Sequence, residues 1–342
     1  MKTVVISEHG SYEQLRFEDR PKPEPGPGQV LLEVKACGIN HLDIWVRKGV
    51  PGHKFPLPIV PGCDASGVVA QVGPGVGHLA AGQRVLLSPG LSCGLCVQCL
   101  SGDDHLCRHY GIFGETRDGA CAEWVAVPAA NAIPIPGNLS FEEAASISLV
   151  FLTAWHMLVA RAELRPGEDV LVQAASSGVS SAAIQIAKLW GARVIATSGT
   201  PEKLARARAL GADEVIDYRQ QDFAEEVKRL TGKRGVDVVV EHVGGETFEK
   251  SVRCLARAGR LVTCGATTGP AVKLDLRVLF FKSISLLGST MGSKGELLEL
   301  LQHFASGKLR PVVDRVLPLA EIATAHRLLE ERQVFGKVIV TP

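Results

Sequence analysis

The spacing of apolar residues changes near the middle of the chain. Up to about residue 135, short and partly alternating apolar runs are separated by turns rich in glycine and proline, which is typical of β-strands. Beyond Ser140, near-continuous apolar runs alternate with segments of helical apolar spacing. Buried strands that are each followed by a helix indicate a parallel sheet covered on both faces. The sequence therefore predicts an α/β chain, in which a compact β-domain precedes a doubly wound parallel sheet.

These patterns predict the positions of the main elements. Strands are predicted at 30–35, 66–72, 84–87, 124–127, 169–173, 193–197, 214–216, 236–241, 260–264 and 285–289. Helices are predicted at 141–160, 179–189, 201–210, 223–230 and 247–255. The last residues predict a helix, a strand, a helix and a strand at 295–306, 312–316, 321–332 and 336–340. We therefore expect a β-domain at 1–150 with a cysteine-rich lobe at 90–110, a parallel-sheet domain at 151–291, and a return to the β-domain at 292–342.

The cysteine-rich lobe is the clearest candidate site. Cys93, Cys96, Cys99 and Cys107 are separated by gaps of two, two and seven residues, so their thiolates can share one tetrahedral ion. Zinc is the ion that four thiolates favour, and such a site is closed to water and substrate. Two disulfides are the alternative, but two-residue gaps strain them. We predict one structural zinc.

Charge and targeting signals narrow the class of protein further. The 342 residues carry 37 Lys and Arg against 36 Asp and Glu, so no basic surface for nucleic acid or anionic membranes is expected. The N-terminus lacks an apolar signal segment, and no apolar run reaches the length that a membrane span needs. Nine cysteines without a secretion signal indicate reduced thiols and a metal. We expect a cytoplasmic protein.

A candidate dinucleotide site follows the strand predicted at 169–173. The next residues form a turn of small side chains, Ser176, Ser177, Gly178 and Val179, and then a helix. In doubly wound folds, the backbone N–H groups of this turn and the helix N-terminus bind the pyrophosphate. The glycine pattern is thinned, so the strand–turn–helix context carries the prediction.

The end of the second parallel strand indicates which dinucleotide binds. An acidic residue there would bond both ribose hydroxyls of NAD(H) and repel a 2′-phosphate. Ser198 occupies this region instead, and Lys203 begins the next helix. We therefore favour NADP(H) over NAD(H), although Lys203 could also be an ordinary solvated helix residue.

Taken together, these motifs resemble the zinc-containing medium-chain dehydrogenase/reductase superfamily over nearly the whole chain. The matching segments are the cysteine lobe and residues 36–43 (ACGINHLD), 61–69 (PGCDASGVV), 151–156 (FLTAWH), 174–180, 211–213 and 336–337. The resemblance implies a chaperonin-10-like β-domain, a Rossmann domain, an active-site cleft between them, and a homodimer or homotetramer.

The resemblance also implies cofactor contacts. His41 would lie near the pyrophosphate, and the nicotinamide would lie against Val243, Gly265, Ala266 and Ser289. Further contacts are implied for Thr153 and Lys337. Lys203 and Tyr218 fall where NADPH-dependent quinone reductases of the superfamily hold the 2′-phosphate.

The alcohol-dehydrogenase branch of the superfamily holds a second, catalytic zinc. Its ligand positions and a nearby acidic position correspond here to Asn40, Cys63, Leu149 and Asp64. Leu149 cannot bind a metal and Asn40 is a poor zinc ligand, so too few donors remain. The proton-relay positions hold Leu42 and Trp45. An active site without zinc is predicted; the alternative is an unusual metal site built from His41, His156, Cys37 or Asp64.

These residues resemble the quinone and enone reductase branch, which has an Asn at this position, an Asp close by and no catalytic metal, but typically lacks the cysteine lobe. We take Asn40, Asp43, Cys63 and Asp64 as candidate catalytic residues. Asn40 or a water would donate to the substrate carbonyl, unless Asn40 only caps a turn. Asp43 could simply orient backbone, and Cys63 could be a small buried apolar residue.

The preferred function is therefore NADPH-dependent reduction of a quinone or an activated alkene or carbonyl. One alternative is an NAD(P)-dependent alcohol dehydrogenase with an atypical metal site. Another is a nucleotide-binding protein without catalysis. Any substrate is expected to be a small carbonyl, quinone or alcohol.

Overall fold

The computed structural model describes all 342 residues and divides them into two compact units. The first unit combines Met1–Leu149 with Ser293–Pro342, and the second is Val150–Gly292. Each boundary lies one residue from the limits expected from the sequence. The closing segment of the chain belongs to the first unit.

The chain forms seventeen strands, which we number in chain order. They are β1 (Lys2–Val5), β2 (Arg16–Asp19), β3 (Gln29–Ile39), β4 (Asp64–Val72), β5 (Arg84–Leu87), β6 (Gly90–Leu91), β7 (Gly111–Ile112), β8 (Trp124–Pro128), β9 (Ala132–Pro134), β10 (Asp169–Val172), β11 (Arg193–Ser198), β12 (Glu214–Asp217), β13 (Val236–Glu241), β14 (Leu255–Thr263), β15 (Ser285–Gly288), β16 (Val313–Pro318) and β17 (Lys337–Thr341).

Eleven α-helices accompany them. They are α1 (His41–Lys48), α2 (Val97–Leu100), α3 (Phe141–Ala144), α4 (Val150–Trp155), α5 (Gly178–Leu189), α6 (Pro201–Ala209), α7 (Phe223–Leu230), α8 (Phe248–Cys254), α9 (Leu276–Lys282), α10 (Lys294–Ala305) and α11 (Ile322–Glu330). Short 3₁₀ segments lie at Tyr12–Gln14, Asp104–Leu106, Ala129–Asn131 and Leu319–Glu321, and a π-helical segment at His156–Arg161. None of the helices combines the length and the apolar character that crossing a membrane demands.

The first unit is built on a seven-stranded sheet. Its order is β16-β17-β3-β4-β5-β9, and β8 also pairs with β3. The antiparallel register places Val338 opposite Ile39 and Gly38 opposite Asp64. The end of β3 therefore meets the start of β4 and the start of β17. This junction brings Asn40, Asp64 and Lys337 together.

The second unit is a six-stranded parallel sheet in the order β12-β11-β10-β13-β14-β15. Its central strands are almost entirely buried Val, Ile and Leu, as a sheet covered on both faces requires. The strand order reverses beside β10, which opens a crevice between the carboxyl ends of β10 and β13. The predicted dinucleotide turn lies at this crevice.

The single helix predicted at 141–160 is wrong. The structure has α3, a turn at 145–149, α4 and the π-helical segment. At the turn, the Leu149 N–H donates to Asp64 Oδ1 at 2.7 Å instead of continuing a helix. The Ala145 carbonyl also presses on Gly38, where a Cβ atom would lie only 2.2 Å from that oxygen. Tertiary contacts with β3 and β4 thus override the helical spacing.

Candidate active site and cofactor site

The four cysteines of the lobe converge. Their Sγ atoms all lie within 4.8 Å of one another, and no other group of three or more His, Cys, Asp or Glu in the chain is arranged in this way. Cys99 Sγ lies 3.5 Å from Cys96 Sγ and 3.9 Å from Cys93 Sγ. A tetrahedral zinc with Zn–S bonds of about 2.3 Å holds its sulfurs ~3.8 Å apart. The lobe therefore fits one structural zinc, and all nine cysteines of the chain are free of disulfides.

Local backbone stabilises the thiolate form of one of the four cysteines. The N–H groups of Leu95 and Cys96 lower the pKa of the Cys93 thiol to about 6. The Cys99 N–H lowers the pKa of Cys96, but the Cys99 thiol and burial outweigh it and raise that pKa to about 11. The His109 N–H donates to Cys107 Sγ at 3.4 Å. Asp104 ties the lobe to the rest of the first unit, since its Oδ1 accepts from the Lys294 N–H at 2.9 Å. The lobe is thus a small, anchored metal site.

A second polar cluster lies at the junction of β3, β4 and β17. The Lys337 ammonium donates to Asp64 Oδ2 at 2.9 Å, to the Ile39 carbonyl at 3.0 Å and to Asn40 Oδ1. Lys337 is 3% exposed and Asp64 fully buried. Three oxygens therefore surround one internal cation. We call Asn40, Asp64 and Lys337 the ammonium cluster.

The amide of Asn40 is also fully occupied. Its Nδ2 donates to Asp64 Oδ2 at 3.0 Å and to the Gly38 carbonyl at 3.2 Å, and lies 3.5 Å from Cys63 Sγ. The opposite amide orientation would turn the NH₂ group toward the Lys337 ammonium, so charge fixes this one. No amide proton remains for a substrate carbonyl. The expectation that Asn40 donates directly to substrate therefore needs correction.

Asp43 is buried next to this cluster. Its carboxylate accepts from the N–H groups of Asn40 at 2.7 Å and Gly62 at 2.8 Å. Burial raises the pKa of Asp43 to about 6, despite these two donors and the nearby Lys337 charge. Asp43 thus orients backbone at the start of α1, which was the more modest role considered for it.

A catalytic zinc does not fit these residues. Leu149 has no side-chain donor atom for a metal, and its backbone N–H is directed at Asp64. A divalent ion bound by Asp64 and Cys63 would lie beside the Lys337 ammonium, and two cations at such a separation repel strongly in a buried site. The ammonium already supplies the positive charge that balances Asp64. The unusual metal site considered for His41, His156, Cys37 or Asp64 gains no support either.

Cys63 belongs to the apolar core. It packs in the core of the first unit with Cys37 and Cys121, whose Sγ atoms are 3.7 Å apart. Burial raises the pKa of the Cys63 thiol well above its ordinary value, and the carboxylates of Asp64 and Asp43 raise it further. The thiol is therefore protonated at neutral pH. This matches the interpretation of Cys63 as a small buried apolar residue.

The dinucleotide turn joins β10 to α5. Ser177 is the N-cap of α5, and its Oγ accepts the Ser180 N–H at 3.0 Å. The N–H groups of Gly178 and Val179, at the first two helical positions, have no intrahelical acceptor. Free donors, the helix dipole and small side chains converge here, which fits a pyrophosphate. Ser176, Ser177, Gly178 and Val179 thus lie at one helix N-terminus, and their binding of a pyrophosphate stays a prediction.

The end of β13 and the loop after it face this turn and hold two residues that the sequence analysis missed. Glu241 is fully buried, and its Oε1 accepts from the N–H groups of His242 at 2.9 Å and Val243 at 2.6 Å. His242 Nε2 lies 3.0 Å from Ser177 Oγ and 2.8 Å from Ser180 Oγ. A lone His after a strand carries no recognisable sequence signal. Only the parallel-sheet topology places it against the turn.

The end of β11 carries the residues proposed for a 2′-phosphate. The Tyr218 N–H donates to the Ser198 carbonyl at 3.1 Å, and Lys203 lies in the first turn of α6. A Cβ atom at Gly199 would lie 2.8 Å from the Tyr218 ring and 2.9 Å from Arg219 Nε, so both side chains cover this glycine. Arg219 is exposed and makes no ion pair, and the sequence analysis missed it. A basic residue directly after Tyr218 was the available signal.

The remaining cofactor candidates divide between the units. Thr153, Val243, Gly265, Ala266 and Ser289 lie in the second unit. Thr153 and Val243 are buried, and the Ser289 hydroxyl is buried without any hydrogen-bond partner. A buried, unsatisfied hydroxyl is costly and suits a polar ligand group.

His41 and Lys337 belong to the first unit. His41 is the first, partly exposed residue of α1. Lys337 uses all three ammonium protons within the chain, so the expectation that it donates to the cofactor is not supported.

The fold and these two sites define a class of protein. Residues 26–137 match the family described as "Alcohol dehydrogenase GroES-like domain", and residues 178–306 match "Zinc-binding dehydrogenase". The chain belongs to the zinc-type medium-chain dehydrogenase/reductase superfamily and is an NAD(P)-dependent oxidoreductase with a GroES-like β-domain and a Rossmann sheet.

Individual relatives carry two kinds of name. The chain is 34% identical to an alcohol dehydrogenase of Geobacillus stearothermophilus over 99% of both chains. It is 32% identical to quinone oxidoreductase 1 of Escherichia coli (strain K12), again over 99% of both. A crystal structure described as an NAD-dependent alcohol dehydrogenase matches with a TM-score of 0.97 and 54% identity over the whole of both chains.

Proposed function

We propose that this protein reduces quinones or activated alkenes or carbonyls with NADPH, without a catalytic metal. The observation that carries the proposal is the ammonium cluster, in which Lys337 holds the position that a metal would need beside Asp64 and Asn40. Alcohol oxidation depends on lowering the pKa of the alcohol or removing its proton, and these residues form neither a complete set of metal ligands nor a free base. Reduction of a conjugated carbonyl needs no such base, because solvent can deliver the proton.

Each residue then has a limited role. Bound NADPH supplies the hydride. Asn40 and Asp64 are held by hydrogen bonds and form the polar surface of the proposed substrate site, which we call the polar floor. Lys337 balances its charge. Asp43 fixes the start of α1. A water held by this floor is the group we propose as donor to the substrate carbonyl, since Asn40 itself has no free proton. Cys63 contributes shape and no chemistry.

The preference for NADP(H) rests on charge at the end of β11. Ser198 carries no charge that would repel a 2′-phosphate, and the guanidinium of Arg219 lies over Gly199. Lys203 lies in the first turn of the helix that follows β11, and the Tyr218 ring lies against Gly199. Two cations and a phenol suit a phosphate dianion.

The activity test measures oxidation of NADPH and NADH by the purified protein with benzoquinone, an enone, an aldehyde and, in the reverse direction, primary alcohols. We expect turnover of the quinone or the enone with NADPH, and one zinc per chain. Alcohol oxidation together with two zinc ions per chain would contradict the proposal. A protein that binds NADPH but turns over none of these compounds would be a nucleotide-binding protein without catalysis.

The cofactor test uses Ser198→Asp and Arg219→Ala. The carboxylate of the first variant should repel the 2′-phosphate, and the second should lose a charge-assisted hydrogen bond. We expect the ratio of kcat/KM for NADPH to that for NADH to fall by about tenfold or more in each. Arg257→Ala, an exposed arginine elsewhere on the same unit, is the control. A wild-type preference for NADH would overturn the assignment.

A second candidate function is oxidation of alcohols with NAD(P). The names of the alcohol dehydrogenase relatives at 34% and 54% identity favour it. Zinc content and the alcohol assay separate it from the first candidate. A homodimer or homotetramer and a cytoplasmic location stay predictions.

A further inference from the structure

His242 is a buried imidazole that the proposed reaction does not use. Its Nε2 contacts the two hydroxyls of the dinucleotide turn, Ser177 Oγ at 3.0 Å and Ser180 Oγ at 2.8 Å. The contact spans the crevice between β10 and β13, where the strand order reverses. The imidazole therefore joins the two loops on either side of the predicted pyrophosphate position.

The hydrogen bonds of Ser180 decide the tautomer of His242. Ser180 has one hydroxyl proton, and it donates this proton to the Gln173 carbonyl at 2.6 Å. The Ser180 oxygen can therefore only accept a hydrogen bond from His242. Nε2 of His242 thus carries a proton and donates it to Ser180. Burial lowers the pKa of His242 to about 4, so the ring is neutral and has this single Nε2 proton near neutral pH.

The direction of the Ser177 hydroxyl proton follows from the tautomer of His242. Its oxygen accepts the Ser180 N–H at 3.0 Å and shares the Nε2 proton of His242. A protonated Nε2 cannot accept, so the Ser177 proton cannot point at the imidazole. No other acceptor in the chain lies within reach of this hydroxyl, and Ser177 is only partly buried. The Ser177 O–H is thus directed out of the turn, toward a ligand on the helix N-terminus.

We propose that His242 is a positioning residue for the cofactor: it fixes Ser177 as an outward hydrogen-bond donor to the pyrophosphate. The inference rests on the proposal that this turn binds the cofactor. It also accounts for the thinned glycines, because a serine that donates to the phosphate replaces part of what closer backbone approach provides in glycine-rich turns.

The test is a double-mutant cycle on cofactor binding, measured by the fluorescence of NADPH and NADH titrated into the protein without substrate. His242→Met removes the Nε2 donor and Ser177→Ala removes the hydroxyl. Each should raise the cofactor Kd by about tenfold, and the double variant should be little worse than either, because both remove the same interaction. His242→Gln keeps an N–H group near the Nε2 position and should recover most of the affinity.

Steady-state kinetics supply a readout that a purely structural role would not move. In His242→Met, the KM for the cofactor should rise while the KM for the second substrate stays the same. Ser181→Ala, whose hydroxyl bonds only to Gly178 within the same helix, is the matched control. Should His242→Met fail to fold, the cofactor Kd values of the wild type, His242→Gln and Ser177→Ala still test the role of His242.

The outcomes separate the two claims. Wild-type protein that binds neither NADPH nor NADH would overturn the proposed function itself. Wild-type binding that His242→Met leaves unchanged, or single losses that simply add in the double variant, would overturn the role of His242 alone.

Discussion

The cysteine lobe and the ammonium cluster balance converging negative charge in different ways. In the lobe, four thiols converge and none of them is hydrogen-bonded to a lysine or arginine side chain, so the negative charge of four thiolates needs an external cation. In the ammonium cluster, Asp64 and Asn40 converge on the ammonium of Lys337, so the cation is part of the chain. The lobe offers four sulfurs that are partly open to solvent, whereas the ammonium cluster offers three buried oxygens. The donor set and the lysine on β17 together separate the candidate metal site from the metal-free one.

The difference shows why the cysteine lobe says little about the reaction. Its four thiolates leave no position open for a substrate, so its zinc can only stabilise the local fold. The family name refers to zinc, but the residues at the proposed reaction centre are already charge-balanced without it. The two clusters must therefore be tested separately.

The largest effect is expected from breaking the lobe. Cys99→Ser removes a ligand that lies next to both Cys93 and Cys96. Zinc content should fall from one ion per chain to almost none, with a loss of several kcal/mol in the free energy of unfolding. Elemental analysis and urea unfolding measure this. Cys264→Ser, a partly buried cysteine outside the lobe, should retain the ion; loss of zinc there as well would show that the lobe is not its site.

Removing the internal cation should have the next largest effect. Lys337→Met leaves Asp64 buried without its counter-charge, which costs about 3–5 kcal/mol of unfolding free energy. Lys337→Met combined with Asp64→Leu should recover part of this loss, because no buried charge remains. Lys35→Met, which breaks an exposed ion pair with Glu33, should change stability by less than about 1 kcal/mol.

The Lys337→Met variant also tests whether Lys337 excludes a metal ion from the ammonium cluster. Without its lysine, the ammonium cluster becomes a site whose carboxylate needs an external cation, as in the lobe. Cobalt titration should give one ion per chain in the wild type. A second cobalt ion in the wild type would show that Lys337 does not close the site.

A smaller effect is expected at Asn40. Asn40→Ala removes the amide that links Lys337, Asp64 and the Gly38 carbonyl, so the polar floor loses its fixed geometry. We expect kcat/KM with quinone or enone to fall by about tenfold or more. Asn138→Ala, on the surface of the same unit, is the matched control. An unchanged rate would remove Asn40 from the mechanism.

The smallest effect concerns a polar group with no partner at all. His326 on α11 is fully buried, and neither ring nitrogen has a hydrogen-bond partner. Burial and, to a smaller extent, the charges of Arg47 and His41 lower the pKa of His326 to about 3, while Glu330 opposes this effect.

The sign of the pH effect follows from this shift. The unfolded chain binds the proton near pH 6.5, whereas the folded chain binds it only near pH 3. The titration of His326 therefore leaves the free energy of unfolding unchanged above about pH 6.5 and lowers it progressively as pH falls from 6.5 toward 3. His326→Leu should therefore be the more stable protein at pH 5, by about 1 kcal/mol, with a smaller gain at pH 7. Urea unfolding at both pH values measures this, with His78→Leu as an exposed control. An equal gain at both pH values would assign the effect to packing.

Sequence patterns were enough to predict the features whose residues are close together in the chain. The cysteine spacing predicted the lobe, and the alternation of apolar runs predicted the strands of the second unit, with β13 and α7 at their observed bounds. The turn before α5 was recognised from its context. In each case the residues that act together are close in sequence, so their types and spacing contain the information.

What the sequence did not predict depends on contacts between distant segments. Nothing near Lys337 indicates that it balances Asp64, because the two are 273 positions apart. Its assignment to the cofactor and that of Asn40 to the substrate both assumed free protons that the folded chain uses internally. His242 was missed for the same reason, since its partners lie 62 and 65 positions earlier. The break at 145–149 likewise depends on Gly38 and Asp64.

The pairing of β17 with β3 has a consequence for synthesis. The hydrogen bond between Lys337 and Asn40 joins residues 297 positions apart, so the ribosome must add 297 residues after Asn40 before this contact can form. The second unit is one continuous segment, Val150–Gly292, and is complete earlier. During synthesis, the parallel sheet is therefore available to fold before Lys337 can balance the charge of Asp64. The proposed reaction centre can be completed only after the strand that closes the first sheet has been made.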